Sequence, residues 1–313
     1  MMLMSECEEH ETCVVAYSNY TFQGSPSTDL LLLAESVRAF GGRARDWPLW
    51  ILCDDLSRLS SATLRRAASL RVALLPFNID PAIISYPFAA KASAAAAAER
   101  LAEGHFDQLL WFDRDSLALR DLSPLRLKPD KKMSYRPVNV KNIGLVAEEP
   151  ISSDPFWARA FGLSGVDETS AGTVTSYVDL RVIRFYIAAG LVGARPPLGL
   201  FQSWERLFRS FASDAVLSAF CAESPLHLIF LHQAALSLAA AQRTTADERQ
   251  ELPYLSMYPL NFWEKDSAER RPSLLDEAVS LRYDTELDND SWRRFPMRAE
   301  LERWISAHIH VQA

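Results

Sequence analysis

The stretch Gln108-Leu109-Leu110-Trp111-Phe112-Asp113-Arg114-Asp115-Ser116 decides how this chain is read: an apolar run that ends in two carboxylates separated by one residue. In an extended backbone, residues i and i+2 face the same side, so both carboxylates leave the end of a buried strand together, roughly 6 to 7 Å apart. That geometry suits one hard divalent cation. Mg2+ and Mn2+ take one or two protein carboxylates and complete their shells with water and substrate phosphates, which points to a nucleoside diphosphate. The D-x-D triplet alone proves little, and a second copy stands at Asp288-Asn289-Asp290. That copy lies in the polar segment 284–292 with no apolar run before it, and reads as a solvated loop. Context singles out the first, because at least three strand–helix units precede it.

Upstream, Cys13-Val14-Val15-Ala16-Tyr17-Ser18 reads as a buried strand, followed by a polar loop over 19–28 with Gly24 and Pro26. A helix is predicted over 29–40, capped near 27–29 and stopped by Gly41 and Gly42. Then come a strand over 48–53 ending at Asp54-Asp55, a helix over 60–70, a strand over 71–76 and a helix over 89–103. The alanine run 94–98 in that last helix reads as a face that lies close to a sheet. Strands and helices alternating at this spacing imply an α/β fold, a parallel sheet covered by helices on both faces, with ligands outside the carboxyl ends of the strands. Ser18-Asn19-Tyr20, Asp54-Asp55 and the Asp113/Asp115 pair all fall there, so three polar strand ends converge on one rim. The first turn lacks G-x-G-x-x-G and no P-loop is present, which argues against a dinucleotide cofactor.

Downstream, strands are predicted over 133–138, 188–194 and 252–257, helices over 198–221 and 225–240, and an amphipathic helix over 297–307. Phe201, Trp204, Phe208 and Phe211 follow helical spacing and read as core. The expected organisation is a flexible N-terminus over 1–11, one domain over 12–290, and a C-terminal helix over 291–313 packing on it.

The chain has 313 residues, 49% of them hydrophobic and 23% charged, with a formal net charge of −7. This is the composition of a globular protein, and its acidity argues against nucleic-acid partners, which need a surplus of Lys and Arg. Cys7, Cys13, Cys53 and Cys221 form no C-x-x-C pair and read as reduced thiols. The segment 1–11 has no basic or apolar region of a secretory signal, and no apolar stretch reaches the roughly 20 residues that span a bilayer. A cytoplasmic location is the expectation; oligomeric state is left open.

Four segments, in order, resemble the GT-A type nucleotide-sugar glycosyltransferases, in particular the glycogenin-like and lipopolysaccharide galactosyltransferase-like group. Val14-Val15-Ala16-Tyr17-Ser18-Asn19 is similar to the first strand and uridine-facing loop, and 91–99 with 109–116 to the helix and metal strand. Ala188-Ala189-Gly190-Leu191 is similar to the acceptor-side strand N-A-G-[LV], and His232-Gln233-Ala234-Ala235-Leu236 to the helix start D-Q-x-x-L. The resemblance implies a GT-A (Rossmann-like) three-layer fold with a mostly parallel sheet, and a metal-dependent transfer of sugar from a nucleotide-sugar donor, UDP-sugar foremost, to an acceptor. It implies that Asp113 and Asp115 hold Mn2+ or Mg2+, that Ala16, Tyr17 and Asn19 line the nucleotide pocket, and that Gln233, with His232 beside it, faces the reaction centre. Lys91 and Arg114 are further nucleotide candidates, and Arg136, Asn139 and Gly190 substrate candidates.

The chain departs from the family pattern at Ala188, which replaces the Asn, and at His232, which replaces the Asp. The C-terminal H-x-x-G-x-x-K motif is absent; its nearest counterpart, Leu281-Arg282-Tyr283-Asp284, offers an Asp in place of the His. These departures leave a non-catalytic nucleotide-sugar-binding member of the fold as one alternative. A haloacid-dehalogenase-type phosphohydrolase is another, although its D-x-D-x-[TV] motif would have Leu117 at the last position and a hundred residues before it.

Overall fold

The structure, a computed structural model, describes residues 11–19, 28–287 and 290–309. The first third follows the alternation read from sequence: β1 (Thr12–Ser18), α1 (Leu32–Phe40), β2 (Leu49–Cys53), α2 (Ser61–Ser69), β3 (Val72–Pro76), α3 (Ala89–Ala102) and β4 (Gln108–Phe112). The chain continues through β5 (Ser116–Ala118), β6 (Met133–Tyr135), α4 (Pro155–Ser164), α5 (Glu168–Ala171), β7 (Thr173–Thr175), β8 (Val182–Arg184) and β9 (Leu191–Ala194). It ends with α6 (Leu200–Ala212), α7 (Ala215–Glu223), α8 (Pro225–Arg243), β10 (Arg249–Glu251), β11 (Tyr258–Pro259), β12 (Ser280–Arg282) and α9 (Ala299–His308).

Seven strands form the central sheet in the order β10-β6-β9-β4-β1-β2-β3. β1 pairs in parallel with β2 and β4, and β2 with β3, so their carboxyl ends share one rim. β9 runs antiparallel to both β4 and β6, which brings its amino end to that same rim. The side-chain period of two splits each strand between two cores. Cys13, Val15, Tyr17, Leu109 and Trp111 pack under α3, α4, α6 and α8, while Val14, Ala16, Leu110 and Phe112 face α1 and α2. The result is the expected three-layer α/β architecture with a mostly parallel sheet. Phe201, Trp204, Phe208 and Phe211 are fully buried core, as their spacing predicts.

A second sheet, β11-β12-β5, grows from the chain that leaves β4. Leu117 and Leu119 form its apolar cluster with Tyr258, Leu281 and Trp292, and Leu301 and Ile305 of α9 belong to the same cluster.

Two predicted elements are corrected. The helix expected over 198–221 is two helices, because the Asp214 side chain accepts N–H bonds from Val216 and Leu217 and starts α7 afresh. No strand runs over 252–257; Pro253 lacks the N–H a strand needs and leads into a 3-10 turn, Tyr254–Ser256. The edge strand is instead β10, whose Arg-Gln-Glu sequence carries no apolar signal. α1 stops at Gly41-Gly42 as read from sequence: Gly41 N donates to Val37 O at 2.9 Å, and Gly42 takes a positive φ of 60° with Asp121 so close that a Cβ would clash. Cys7, Tyr20, and Asp288 and Asn289 of the second D-x-D lie outside the described residues.

α3 is held close to its neighbours by alanines 92, 94, 95, 96 and 98, all without exposure. An Ala95→Leu substitution should overpack this seam and lower stability by about 1–3 kcal/mol, measured by urea unfolding. α6 begins at Gly199, which has no side chain to cap the helix, and Glu99 of α3 supplies the missing acceptor, taking a bond from Gln202 N at 2.8 Å. Burial raises the Glu99 carboxyl to about 7 from 4.5, against the opposing pull of the α6 backbone N–H groups. The protonated form is therefore favoured on folding. Its contribution is complete below about pH 4.5 and is lost as pH rises through about 7, a change of up to about 3 kcal/mol. Glu99→Gln should flatten the stability profile across that window when unfolding is followed as a function of pH.

Candidate active site

At the carboxyl rim of β4 lies a cavity of about 260 Å³. It gathers Lys91 from the start of α3, Asp113 from the end of β4, Arg136 and Asn139 from beyond β6, Gly190 from before β9, and His232 and Gln233 from α8. These seven were candidates from sequence. Parallel pairing brings β4 to the rim, and antiparallel β9 returns Gly190 to the same place, where Asp113 N donates to Gly190 O at 2.7 Å. A Cβ at Gly190 would stand 3.3 Å from Asp113 Oδ2 and 3.1 Å from Met257 Sδ, so glycine lets the acidic turn close against the sheet.

The two carboxylates do not sit on an extended strand. β4 stops at Phe112 and β5 starts at Ser116, so Asp113, Arg114 and Asp115 form the turn by which the chain leaves one sheet for the other. The turn is fixed at both ends, by the Asp113–Gly190 bond and by Tyr283 N donating to Asp115 O at 2.9 Å. Both carboxylates still converge, on Arg282 at the end of β12: its Nε lies 2.9 Å from Asp115 Oδ2 and 3.7 Å from Asp113 Oδ2. Its Nη2 lies 2.7 Å from Asp284 Oδ1. On the other side Lys91 Nζ is 2.5 Å from Asp113 Oδ1, with both residues buried. Burial opposes the charge of Arg282, but Asp115, Asp113 and Asp284 together outweigh it and hold the guanidinium above its ordinary range.

The opposite wall is neutral. His232 and Gln233 lie inside α8 rather than at a helix start. Burial, reinforced by the positive charges of Lys91 and Arg282, holds His232 well below its ordinary value, so its imidazole is neutral at physiological pH. Its ring packs on Phe88 at 4.6 Å, and Lys91 Nζ lies 4.8 Å from the same Phe88 ring. His232 Nδ1, Gln233 Nε2, Asn139 Oδ1 and Arg136 Nε are all buried without hydrogen-bond partners among the described residues. Such groups cost free energy when left unpaired, and here they belong to residues that line one cavity. Three of the cavity's residues, Phe88, Asn142 and Asp284, have positive φ of 63°, 47° and 47°, backbone strain of the kind that collects at functional sites.

The other candidates stand apart from the cavity. Ala16 and Tyr17 are buried in the two cores, Tyr17 stacked on Trp111 at 5.6 Å. Asn19 and the half-buried Arg114 lie on the same rim without lining the cavity, and Asp115 reaches it through Arg282. Asp55 caps the turn that follows β2, accepting from Ser57 N at 3.0 Å. Sequence reasoning gave no role to Arg282, which is 167 positions from Asp115 and stood only as a neighbour of Asp284 in the altered C-terminal segment. Asp284 was signalled only as the replacement for a histidine.

The donor chemistry of Asp113 and Asp115 fits a hard divalent cation. No group of three His, Cys, Asp or Glu among the described residues is arranged to hold a metal unaided, so an ion at these carboxylates would complete its shell with phosphate oxygens and water, as Mg2+ commonly does. The guanidinium of Arg282 is the competing cation.

Comparison with known proteins bears on the fold and the family. A search of curated protein sequences gives no match. Among solved structures, the chain is similar to the galactosyltransferase LgtC in complex with donor and acceptor sugar analogs, at 13% identity over 95% of this chain and 96% of that one, with a TM-score of 0.54. It is also similar to an active-site mutant of LgtC, at 13% identity over 95% and 94% of the two chains, with a TM-score of 0.50. A model of the Rhodobacterales glycosyltransferase domain matches residues 23–244. The chain belongs to that glycosyltransferase family, and it is an enzyme on a GT-A type fold.

Proposed function

We propose that the protein transfers a sugar from a nucleoside diphosphate sugar, with a UDP-sugar as first choice, to the hydroxyl of an acceptor, using Mn2+ or Mg2+ at Asp113 and Asp115. The observation that carries this reading is the meeting of Asp113, Lys91, His232 and Gln233 in one cavity at the sheet rim. The phosphohydrolase alternative has no support from family or fold. The nucleotide lies, on this reading, toward β1, with Asn19 and Arg114 beside it. The buried side chains of Ala16 and Tyr17 leave the backbone of that strand to make the contact.

When the sugar–phosphate bond breaks, negative charge develops on the departing diphosphate. Lys91 and Arg282, already fixed by their carboxylates, are positioned to stabilise it without reorganising. Asp113 and Asp115 would hold a divalent ion, which when bound would supply Lewis-acid stabilisation to the same leaving group. Neutral His232 and Gln233 offer hydrogen bonds to sugar hydroxyls, and both have nitrogen atoms awaiting partners. LgtC, with donor and acceptor sugar analogs in its crystal structure, supports a two-substrate cleft. Cys13, Cys53 and Cys221 are buried and unpaired, which suits the reducing cytoplasm expected from sequence. No helix of the described residues is long and apolar enough to cross a membrane.

Calorimetric titration with UDP, with and without Mn2+, tests the donor site. Tight binding should require the metal and should disappear in the Asp113→Ala, Asp115→Ala double variant; metal-independent binding that survives both substitutions would remove the basis for the reading. Arg282→Gln should make the UDP affinity depend several-fold more steeply on Mn2+, because the competing cation is gone and the carboxylates repel a metal-free diphosphate. The same titration across Mn2+ concentrations measures it.

A further inference from the structure

The cations on the carboxylate side of the cavity are paired, Lys91 with Asp113 and Arg282 with three carboxylates. Arg136 is not. It is 2% exposed and lines the cavity, and among the described residues it forms no ion pair; burial opposes its charge, and Tyr177 and Tyr254 act the other way. Its guanidinium lies 4.9 Å from the Tyr177 ring centre and donates from Nη2 to Tyr254 O at 3.2 Å, while Nε has no partner among the described residues. Arg249, also buried, shows what a structural arginine looks like in this chain: Nε, Nη1 and Nη2 each donate to an oxygen, at 2.9, 2.7 and 2.7 Å. An arginine carries several N–H donors in a fixed fork matched to carboxylate and phosphate, and a buried charge left uncompensated is costly.

Its place in the sheet says which ligand it meets. Arg136 follows β6, which is separated from β4 by β9, on the side away from β1 and β2. Two strand spacings put it roughly 10 Å from the strand that bears Asp113, beyond the diphosphate and toward the sugars. We propose that Arg136 anchors an anionic group, a carboxylate or a phosphate, carried by one of the two sugars that meet in the cleft. The inference rests on the donor reading above for the direction in which the sugars lie. Asn139, whose Oδ1 is also unpartnered, and the Ala188 backbone, tied to Arg136 O at 2.8 Å, flank the anchor.

The test compares acidic and neutral ligands of the same shape on the full chain, by calorimetry or saturation-transfer NMR. UDP-glucuronic acid against UDP-glucose probes the donor sugar; p-nitrophenyl glucuronide against p-nitrophenyl glucoside, and glucose 6-phosphate against glucose, probe the acceptor. In at least one pair the acidic ligand should bind about tenfold more tightly, and Arg136→Gln should erase that ratio; the pair that responds identifies the sugar. Equal affinities in every pair on the unmodified protein would overturn the proposal without any variant, and so would a preference that survives in Arg136→Gln. UDP titrated in parallel separates the two readings: if UDP fails to bind, the donor assignment falls while the acceptor pairs still decide the role of Arg136.

Discussion

The turn at Asp113, Arg114 and Asp115 is the joint on which the site depends. The residue before β9 and the residue after β12 hold it, through Gly190 O and Tyr283 N, so the central sheet and the small sheet meet at a pair of carboxylates. Because the turn is secured by backbone, the two acidic side chains are left to meet Lys91 and Arg282. Because Gly190 has no Cβ, the sheet can approach Asp113 closely enough to make the bond. The second sheet and α9 complete this arrangement by bringing Arg282 and Asp284 to the rim.

Around that joint the cavity divides by charge. On one side Asp113 and Asp284 line it with Lys91 and Arg282, and Asp115 joins the set through Arg282. The other carries neutral His232 and Gln233, held by α8, which is itself stitched to the segment before β9 by Ser237 Oγ, an acceptor for Ile187 N at 3.0 Å. His232 Nδ1 and Gln233 Nε2 have no hydrogen-bond partner among the described residues, so they remain open to a ligand. Arg136 extends the same logic from hydrogen bonding to charge.

Much of this was legible in the sequence where local pattern and tertiary role coincide. The apolar run before Asp113 located β4 because a strand buried on both faces has to be apolar, and Ser60 announced α2 because its side chain caps the helix, accepting from Thr63 N at 3.0 Å. Lys91, His232 and Gln233 could be placed only through the order of loose motifs, since nothing in their own neighbourhoods distinguishes them. β10 was hidden because an edge strand is held by backbone hydrogen bonds and needs no apolar alternation. Phe88 at positive φ and Arg282 against Asp115 were equally hidden, since both depend on contacts between segments far apart in the chain. The extended reading of Asp113 and Asp115 predicted convergence correctly but for the wrong reason: the turn, together with Arg282, brings them together.

The most direct test of the central claim, that this turn is the donor site, is a crystal structure with UDP and Mn2+ and an anomalous map for the metal. The account predicts a manganese peak within coordination distance of Asp113 and Asp115, bridging to the diphosphate, with the uridine toward β1 and the open cavity toward Arg136. A diphosphate bound elsewhere on the rim, with the Asp113–Lys91 and Arg282 pairs undisturbed and no manganese between the carboxylates, would contradict it.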